Sequence, residues 1–313
     1  MAGGGQGSRE GRLRIRRRRS RSPEQLARLL TVLRSPRRRA GTIEERRREL
    51  ERFVERMPGE IPVESRMVEA GGVRCEGIGD PDAPLRVLYF HGGGYALGSP
   101  RTHRQLTARL ARSAGAEVLV PDYRLAPENP FPAAVEDARR VHRWLREKDG
   151  SRPLVLGGDS AGGGLALALA RQIAGTPGVP RGLFVISPWT DLTHGSPSID
   201  ENRDRDPVVD RGDLEWMASL YLQGTPAKEP SASPLHGDLR GLPPTLILVS
   251  ESEALRDDGV RMARKLVAAG IPTDLEIWSG QPHVWPIYAG IHDDGVRAIR
   301  EIGAWIRDLA STS

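Results

Sequence analysis

The sequence predicts a three-layer α/β protein with a mostly parallel central sheet. From about residue 63 onward, short runs that are too uniformly apolar for a half-exposed strand alternate with amphipathic helical patterns. With 313 residues, 38% of them hydrophobic, the chain can also bury the large core that such a sheet needs. Strands and helices in alternation imply right-handed crossovers that place helices on both faces of the sheet.

The body of the chain, 61–313, repeats this pattern in order. The predicted strands are 85–90, 117–121, 154–157, 183–187, 245–250 and 274–278. The predicted helices are 102–113, 133–146, 161–173, 257–269 and 293–309. A polar, proline-rich stretch over about 194–235, with a helix-like segment at 212–222, interrupts the alternation. We interpret this stretch as an insertion that lies over the sheet.

Two short helices are predicted within residues 22–60, ahead of the α/β body. The segments 22–25 and 42–45 both have the pattern of a capping box, which stabilises the first turn of a helix. Apolar residues follow at helical spacing in both segments, and Pro36 and Pro58 end the two helices. Their apolar faces need a surface to pack against.

Residues 1–21 form an arginine-rich segment that is predicted to be a disordered tail, because like charges repel and few apolar residues are present. The first sixty residues hold 18 arginines and 8 glutamates, so a chain of net charge +5 leaves a mildly acidic body. A twin-arginine export signal is disfavoured because Arg28 interrupts the apolar run that would follow. Attachment to nucleic acid or to an anionic membrane is disfavoured because no aromatic residue precedes Phe53.

Cysteine content and hydropathy restrict the compartment. Cys75 is the single cysteine of the chain, so an internal disulfide and a multi-cysteine metal site are excluded. The longest apolar runs, such as 165–170 and 245–249, fall far short of the roughly 18–20 residues of a membrane span. We therefore expect a cytoplasmic protein with no membrane span.

A G-x-S-x-G pattern at 158–162 provides the first candidate for chemistry. It directly follows a predicted apolar strand and directly precedes the alternating Leu and Ala residues of a predicted helix. In that context the middle residue, Ser160, lies on a tight strand-to-helix turn with its hydroxyl exposed at the edge of the sheet. The position indicates a nucleophile.

His91, Gly92, Gly93 and Gly94 form a second motif, again immediately after a predicted strand. A run of residues without side chains lets backbone N–H groups approach a substrate oxygen closely, as an oxyanion hole requires. The two motifs together indicate acyl transfer.

A serine nucleophile needs a histidine base, which follows it along the chain in folds of this kind. The histidines after Ser160 are His194, His236, His283 and His292. His283 lies between the last predicted strand and the last predicted helix, in a loop where a base is commonly presented. We therefore predict His283 as the base.

The third member of such a triad is a carboxylate that orients the histidine and stabilises its charged form. The loop and helix after the predicted strand 245–250 offer Glu251, Glu253, Asp257 and Asp258. Geometry favours the loop over the helix, but these residues alone leave the choice open.

In these segments the chain resembles the hormone-sensitive-lipase-like family of bacterial carboxylesterases within the α/β-hydrolases. The matching segments are HGGGY at 91–95, PDYRLAPE at 121–128, PFPAAVED at 130–137, GDSAGG at 158–163, SPWTD at 187–191 and PH at 282–283. They span about residues 60–310, and their combination is far more specific than any one of them.

The resemblance implies an α/β-hydrolase fold with a helical cap, built from residues 22–60 and the 194–235 insertion. It implies that Ser160 is the nucleophile and His283 the general base. The acid loop of the family commonly reads D-P-L-x-D-E-G, and EALRDDG at 253–259 has glutamate in place of the first aspartate. This alignment favours Glu253 as the acid, with Asp257 and Glu251 as alternatives.

The same resemblance assigns the oxyanion hole and the pocket. Backbone N–H groups of Gly92, Gly93, Gly94 and Ala161 are the expected oxyanion donors. The aromatic residues Tyr95, Trp189, Trp216 and Trp285 are candidate pocket walls, and each is equally compatible with a place in the core.

The function predicted in this way is a serine carboxylesterase that hydrolyses short-chain acyl esters, with acetyl as the expected acyl group, through an acyl-enzyme. No metal or cofactor is implied. The expected partner is a small-molecule ester, with no nucleic acid, and a homodimer is left open. The alternative is an N-acetyl or amide hydrolase acting on a natural-product-like molecule. A non-catalytic ligand receptor is disfavoured because Ser160 and His283 are both present.

Overall fold

One nine-stranded sheet organises residues 11–34 and 41–311, which are the residues that the computed structural model describes. The strands are β1 Leu13–Arg18, β2 Ser65–Ala70, β3 Val73–Ile78, β4 Arg86–Phe90, β5 Glu117–Pro121, β6 Leu154–Asp159, β7 Gly182–Ile186, β8 Thr245–Ser250 and β9 Thr273–Trp278. The helices are α1 Pro23–Leu33, α2 Ile43–Glu55, α3 Pro100–Ala114, α4 Ala133–Asp149, α5 Ala161–Gln172, α6 Ser198–Glu201, α7 Arg211–Leu222, α8 Arg256–Ala268 and α9 Asp293–Ser311. Short 3₁₀ helices occur at Pro234–His236 and Trp285–Tyr288.

The centre of the sheet is parallel and buried on both faces. The strand order is β1-β9-β8-β7-β6-β4-β5-β3-β2. Every residue of β4, β6, β7 and β8 is buried, as their uniform apolar character predicts. Residues of α4, α5 and α8 pack in the core on one face, and those of α3 and α9 pack in the core on the other. The predicted three-layer α/β architecture is therefore confirmed.

A hairpin at the far edge, β2 and β3, was not among the predicted strands. The two strands pair antiparallel, and Gly71 and Gly72, both with positive φ (61° and 78°), form the turn between them. Residues of β2 are alternately exposed and partly covered, because this edge strand has one face toward solvent. Because β2 contains charged residues, its sequence lacks the uniformly apolar character from which the other strands were predicted.

Residues 11–21 form an ordered edge of the sheet, which corrects the predicted disordered tail for this part of the chain. β1 pairs in parallel with β9 along all six of its residues. The guanidinium of Arg14 donates to the carboxylate of Asp274 at 2.5 and 2.8 Å, and Arg18 donates to Glu276 at 2.8 Å. These distant carboxylates and the main-chain ladder offset the repulsion among the arginines. The first ten residues of the predicted tail lie outside the described residues.

The two N-terminal helices form where they are predicted, but only one begins with a capping box. At α2, the side chains of Thr42 and Glu45 each accept a hydrogen bond from the other residue's backbone N–H. At α1, the side chain of Ser22 makes no such bond, and Gln25 instead contacts Asp293 at the start of α9. Within the described chain, no helix combines the length and the apolar composition needed to cross a bilayer.

α1, α2 and the insertion share a small apolar cluster, against which Phe53 of α2 and Val208 of the insertion both pack. Leu29 and Leu33 of α1 are buried against Tyr288 in the 3₁₀ helix after β9. The guanidinium of Arg46 in α2 lies 4.0 Å from the ring centroid of Trp216 in α7. The insertion therefore packs together with the two N-terminal helices.

Candidate active site

Ser160 lies on the tight turn between β6 and α5, with φ 51° and ψ −122°. Residues other than glycine rarely adopt this backbone conformation, which is typical of strained positions at functional sites. Glycines on either side permit the turn. A Cβ on Gly162 would lie 2.0 Å from the carbonyl oxygen of Phe90, and one on Gly158 would lie 2.4 Å from that of Gly162. The turn places the Ser160 hydroxyl at the carboxyl end of the sheet.

The imidazole of His283 lies within hydrogen-bond distance of this hydroxyl. His283 Nε2 is 3.0 Å from Ser160 Oγ, although 123 residues separate them along the chain. Neighbouring bonds hold the histidine loop: Ser187 Oγ accepts from the N–H of Val284 at 3.1 Å, and Ser250 Oγ donates to the carbonyl of Gln281 at 2.6 Å. This is the geometry of a general base next to a nucleophile.

Glu253 is the carboxylate that contacts His283. Its Oε2 accepts from His283 Nδ1 at 2.8 Å, and its Oε1 accepts from the backbone N–H of Ser250 at 2.7 Å. The two alternatives have other partners: Glu251 pairs with Arg17, and Asp257 pairs with Arg256. Of the three predicted acids, Glu253 alone forms a hydrogen-bonded chain with His283 and Ser160.

Charge and burial oppose each other at His283, which is only 4% exposed. Burial lowers the pKa of its imidazole, but the hydrogen bond to Glu253 and the charge of Glu253 raise it, so the pKa lies above its usual 6.5. The carboxylate can only accept a hydrogen bond, so Nδ1 carries a proton and Nε2 is free to accept the proton of Ser160.

The predicted oxyanion donors divide into two groups. The N–H of Gly92 donates to Asp159 Oδ1 at 3.1 Å and lies 3.3 Å from His103 Nε2, which corrects the assignment of Gly92 as a donor to substrate. By contrast, the N–H groups of Gly93, Gly94 and Ala161 make no hydrogen bond to any residue in the described part of the chain. Gly93, with φ 119°, has a backbone conformation that favours glycine, and Ala161 directly follows Ser160 at the start of α5, so three unused N–H donors remain on the two loops that carry the sequence motifs.

Known proteins match this chain over most of its length. A family model for the alpha/beta hydrolase fold matches residues 87–287. An acetyl-hydrolase of Streptomyces hygroscopicus is 47% identical over 225 residues, which cover 71% of this chain and 75% of that protein. The esterase LipU of Mycobacterium tuberculosis is 36% identical over 247 residues, which cover 75% of this chain and 82% of that protein.

Solved structures specify the branch of the family. A crystal structure of an esterase from the bacterial hormone-sensitive lipase family has a TM-score of 0.86 and 40% identity, covering 91% of this chain and 98% of that one. The chain belongs to the hormone-sensitive lipase family of α/β-hydrolases. The resemblance inferred from its motifs is confirmed, as are the α/β-hydrolase fold and the prediction that the protein is an enzyme.

A buried polar cluster beneath the glycine run 92–94, the oxyanion loop of this hydrolase, was not predicted from the sequence. Asp159, directly before Ser160, accepts from Tyr89 Oη at 2.7 Å and lies 3.3 Å from His103 Nε2. Burial raises the pKa of Asp159, but His103, the hydrogen bond from Tyr89 and the charge of His91 together outweigh burial and lower the pKa below its usual value. No His, Cys, Asp and Glu side chains among the described residues form a group able to hold a metal ion.

The aromatic residues predicted as pocket walls of the hydrolase are mostly core. Tyr95, Trp189 and Trp285 are each at most 1% exposed. Trp216 is half-buried and contacts Arg46 of α2. The next residue, Met217, was missed: a Cβ on Gly94 would lie 1.9 Å from Met217 Sδ, so the thioether covers the oxyanion loop. The only indication of Met217 in the sequence was its position in the predicted helix of the insertion, which was expected to cover Ser160.

Proposed function

We propose that this hydrolase is a serine carboxylesterase that cleaves short-chain acyl esters, with acetyl esters as the preferred substrates. The observation that carries the proposal is the chain of hydrogen bonds from Ser160 Oγ through His283 (3.0 Å) to Glu253 (2.8 Å). The family membership supports ester hydrolysis, since relatives in this family are named esterases and acetyl-hydrolases.

Acylation begins with the attack of Ser160 Oγ on the ester carbonyl carbon. His283 Nε2 takes the hydroxyl proton as the Oγ–C bond forms, and Glu253 stabilises the resulting imidazolium. The N–H groups of Gly93, Gly94 and Ala161 donate to the negative oxygen of the tetrahedral intermediate. The imidazolium then protonates the departing alcohol, which leaves an ester between Ser160 and the acyl group.

Deacylation repeats the sequence with water as the nucleophile. His283 removes a proton from the water as its oxygen attacks the acyl carbon, and the tetrahedral intermediate collapses when His283 returns the proton to Ser160 Oγ. The products are a carboxylic acid and free enzyme.

The preference for short acyl groups rests on the cap. Met217 of α7 contacts the oxyanion loop at Gly94, so it limits the space beside the site where the carbonyl oxygen binds. The acetyl-hydrolase of S. hygroscopicus, 47% identical over the aligned region, supports acetyl as the acyl group.

The test is hydrolysis of chromogenic acyl esters from acetyl to dodecanoyl by the wild type and by Ser160→Ala. We expect the wild type to cleave the short chains fastest and the variant to lose at least about three orders of magnitude in kcat/KM. Ser151→Ala, which changes an exposed serine at the end of α4, is the matched control and retains full activity.

Two results would contradict the proposal. One is a Ser160→Ala variant that hydrolyses esters as fast as the wild type, and the other is a folded wild type that cleaves no ester. A chromogenic acetyl amide assayed in parallel separates esterase from amidase, because amide cleavage demands better protonation of the leaving nitrogen. Preference for the amide would replace the esterase assignment.

A further inference from the structure

A second buried carboxylate lies close to the acid loop and belongs to the insertion rather than to the α/β core. Asp206 follows α6 and is 7% exposed. Neither acylation nor deacylation uses its carboxylate as a reacting group. Buried carboxylates are costly unless hydrogen bonds or a nearby cation compensate them, so its surroundings indicate its role.

The hydrogen bonds of Asp206 fix the acid loop to the insertion. Its Oδ2 accepts from the backbone N–H of Ala254, the residue after Glu253, at 2.9 Å, and its Oδ1 accepts from the N–H of Val208 at 2.9 Å. Asn202, four residues earlier, donates through Nδ2 to the carbonyl of Glu253 at 2.9 Å. Two side chains of one short segment therefore hold both polar groups of the peptide bond that follows Glu253.

The charge of Asp206 has no direct counter-ion. Within residues 11–34 and 41–311, both of its oxygens bond to neutral backbone N–H groups, and no cationic side chain hydrogen-bonds to it. The charged groups that act on it are His283, which favours its ionisation, and Glu253, which opposes it. Burial is the largest influence and raises the pKa of Asp206 to about 6.

Asp206 and His283 influence each other, since Asp206 is also among the groups that act on the imidazole. The acidic groups that favour the protonated form of His283 are Glu253, Asp206 and Asp159. Glu253 is hydrogen-bonded to the imidazole, whereas Asp206 makes no hydrogen bond to it and acts through space, where burial weakens the screening of its charge.

We infer that Asp206 is a positioning residue of the reaction, which holds the Glu253 loop and whose negative charge stabilises the imidazolium of His283 as Ser160 attacks. This inference rests on the proposed function for its catalytic meaning. It assigns to the insertion a part in the proton transfer, beyond its place over the site.

The test compares the His283 imidazole in the wild type and in Asp206→Asn by NMR titration, with its signal assigned by its absence in His283→Gln. The variant removes the charge and keeps one acceptor for the N–H of Ala254. We expect the pKa of His283 to fall by about half a unit or more, because a buried negative charge is lost. The acid-side fall of kcat/KM for an acetyl ester should move by the same amount, with a several-fold loss in kcat.

Two control variants separate charge from structure. Asp258→Asn removes another buried aspartate, which bonds the N–H groups of Thr190 and Asp191 and whose charged neighbours do not include His283. It should leave the pKa of His283 unchanged. Asn202→Ala weakens the hold on the acid loop without removing a charge, so it should lower kcat and leave that pKa in place.

An unchanged pKa of His283 in a folded Asp206→Asn protein would overturn the inference and leave Asp206 as a backbone cap. Asp206→Ser, which is smaller and also neutral, is the second variant if the first does not fold. Failure of both to fold would assign Asp206 to folding alone. The NMR titration needs no ester turnover. Its result therefore remains valid even if the Ser160→Ala experiment shows that the proposed esterase activity is wrong.

Discussion

At the scale of single residues, the site depends on how one carboxylate is held. Glu253 has both oxygens engaged, one by His283 and one by the N–H of Ser250, so its side chain has a single orientation. That orientation fixes which nitrogen of the imidazole carries the proton. The negative charge also keeps the pKa of His283 above its usual value despite burial.

Glu253→Gln should therefore change both the rate and the pH dependence of hydrolysis. The base must be neutral, so kcat/KM of the wild type falls as the pH drops through the pKa of His283, above 6.5. Without the glutamate charge, burial dominates and that fall moves to lower pH. We expect kcat to decrease by about 10³- to 10⁴-fold. The measurement is a pH–rate profile with an acetyl ester.

Glu251→Gln is the matched control for this change. Glu251 lies two residues earlier and pairs with Arg17 at the surface rather than with His283. The variant should keep the rate and the pH profile of the wild type. Equal losses in both variants would show that the loop as a whole, and not the contact with His283, is responsible.

At the scale of secondary-structure elements, two segments outside the α/β core modify the site and the sheet. α7 places Met217 over the oxyanion loop, and β1 covers the edge of β9. Neither segment contains Ser160, His283 or Glu253, which lie in the α/β core. Changes in α7 should therefore alter substrate choice, and changes in β1 should alter stability.

Met217→Ala should broaden the accepted acyl chain. Removal of the thioether opens space beside Gly94, so the ratio of kcat/KM for hexanoyl over acetyl ester should rise by roughly 10-fold, about the effect of one or two methylenes in an apolar pocket. The exposed Ser219, two residues along α7, provides the control Ser219→Ala. An unchanged chain-length profile in Met217→Ala would argue against the proposed acyl limit.

Deletion of residues 1–18 should destabilise the protein without affecting chemistry. It exposes part of Leu275 and Ile277 and removes the arginine pairs with Asp274 and Glu276. The two arginines are partly exposed although their carboxylate partners are buried, and we expect a loss of about 1–3 kcal/mol, mostly from apolar surface and main-chain pairing. Thermal unfolding measures it, with deletion of residues 1–10 as control. An unchanged unfolding midpoint would mean that β1 does not stabilise the sheet.

At the scale of the whole molecule, buried carboxylates make stability depend on pH. Burial raises the pKa of Asp258 from its usual 3.8 to about 6, against hydrogen bonds from Ser196 and the Thr190 N–H. The folded state therefore binds this proton more tightly than the unfolded state does. The contribution of Asp258 to the free energy of unfolding therefore becomes less favourable as the pH rises from about 4 to about 6, and it stays constant at higher pH.

Asp258→Asn should consequently gain stability relative to the wild type as the pH rises. We expect the difference in the free energy of unfolding to shift toward the variant by about 2–3 kcal/mol between about pH 4 and pH 7. Urea unfolding at the two pH values measures it. Asp238→Asn is the control, because Arg240 lowers the pKa of exposed Asp238 to about 2, below this window. If the difference in the free energy of unfolding between Asp258→Asn and the wild type were the same at both pH values, the folded protein would not bind the Asp258 proton more tightly than the unfolded chain does.

The sequence by itself determined the parallel sheet, the tight turn at Ser160 and the choice of His283 as its partner, because each depends on local patterns: apolar strands, a glycine-flanked serine, a histidine after the last strand. Contacts between distant segments decided the rest. Glu253 rather than Glu251 or Asp257 contacts His283, and Gly92 binds Asp159 instead of a substrate oxygen. Arg14 and Arg18 of β1 are held by carboxylates more than 250 residues away in the chain. Neighbours in the sequence reveal no such partner, since long-range packing alone brings these charges together.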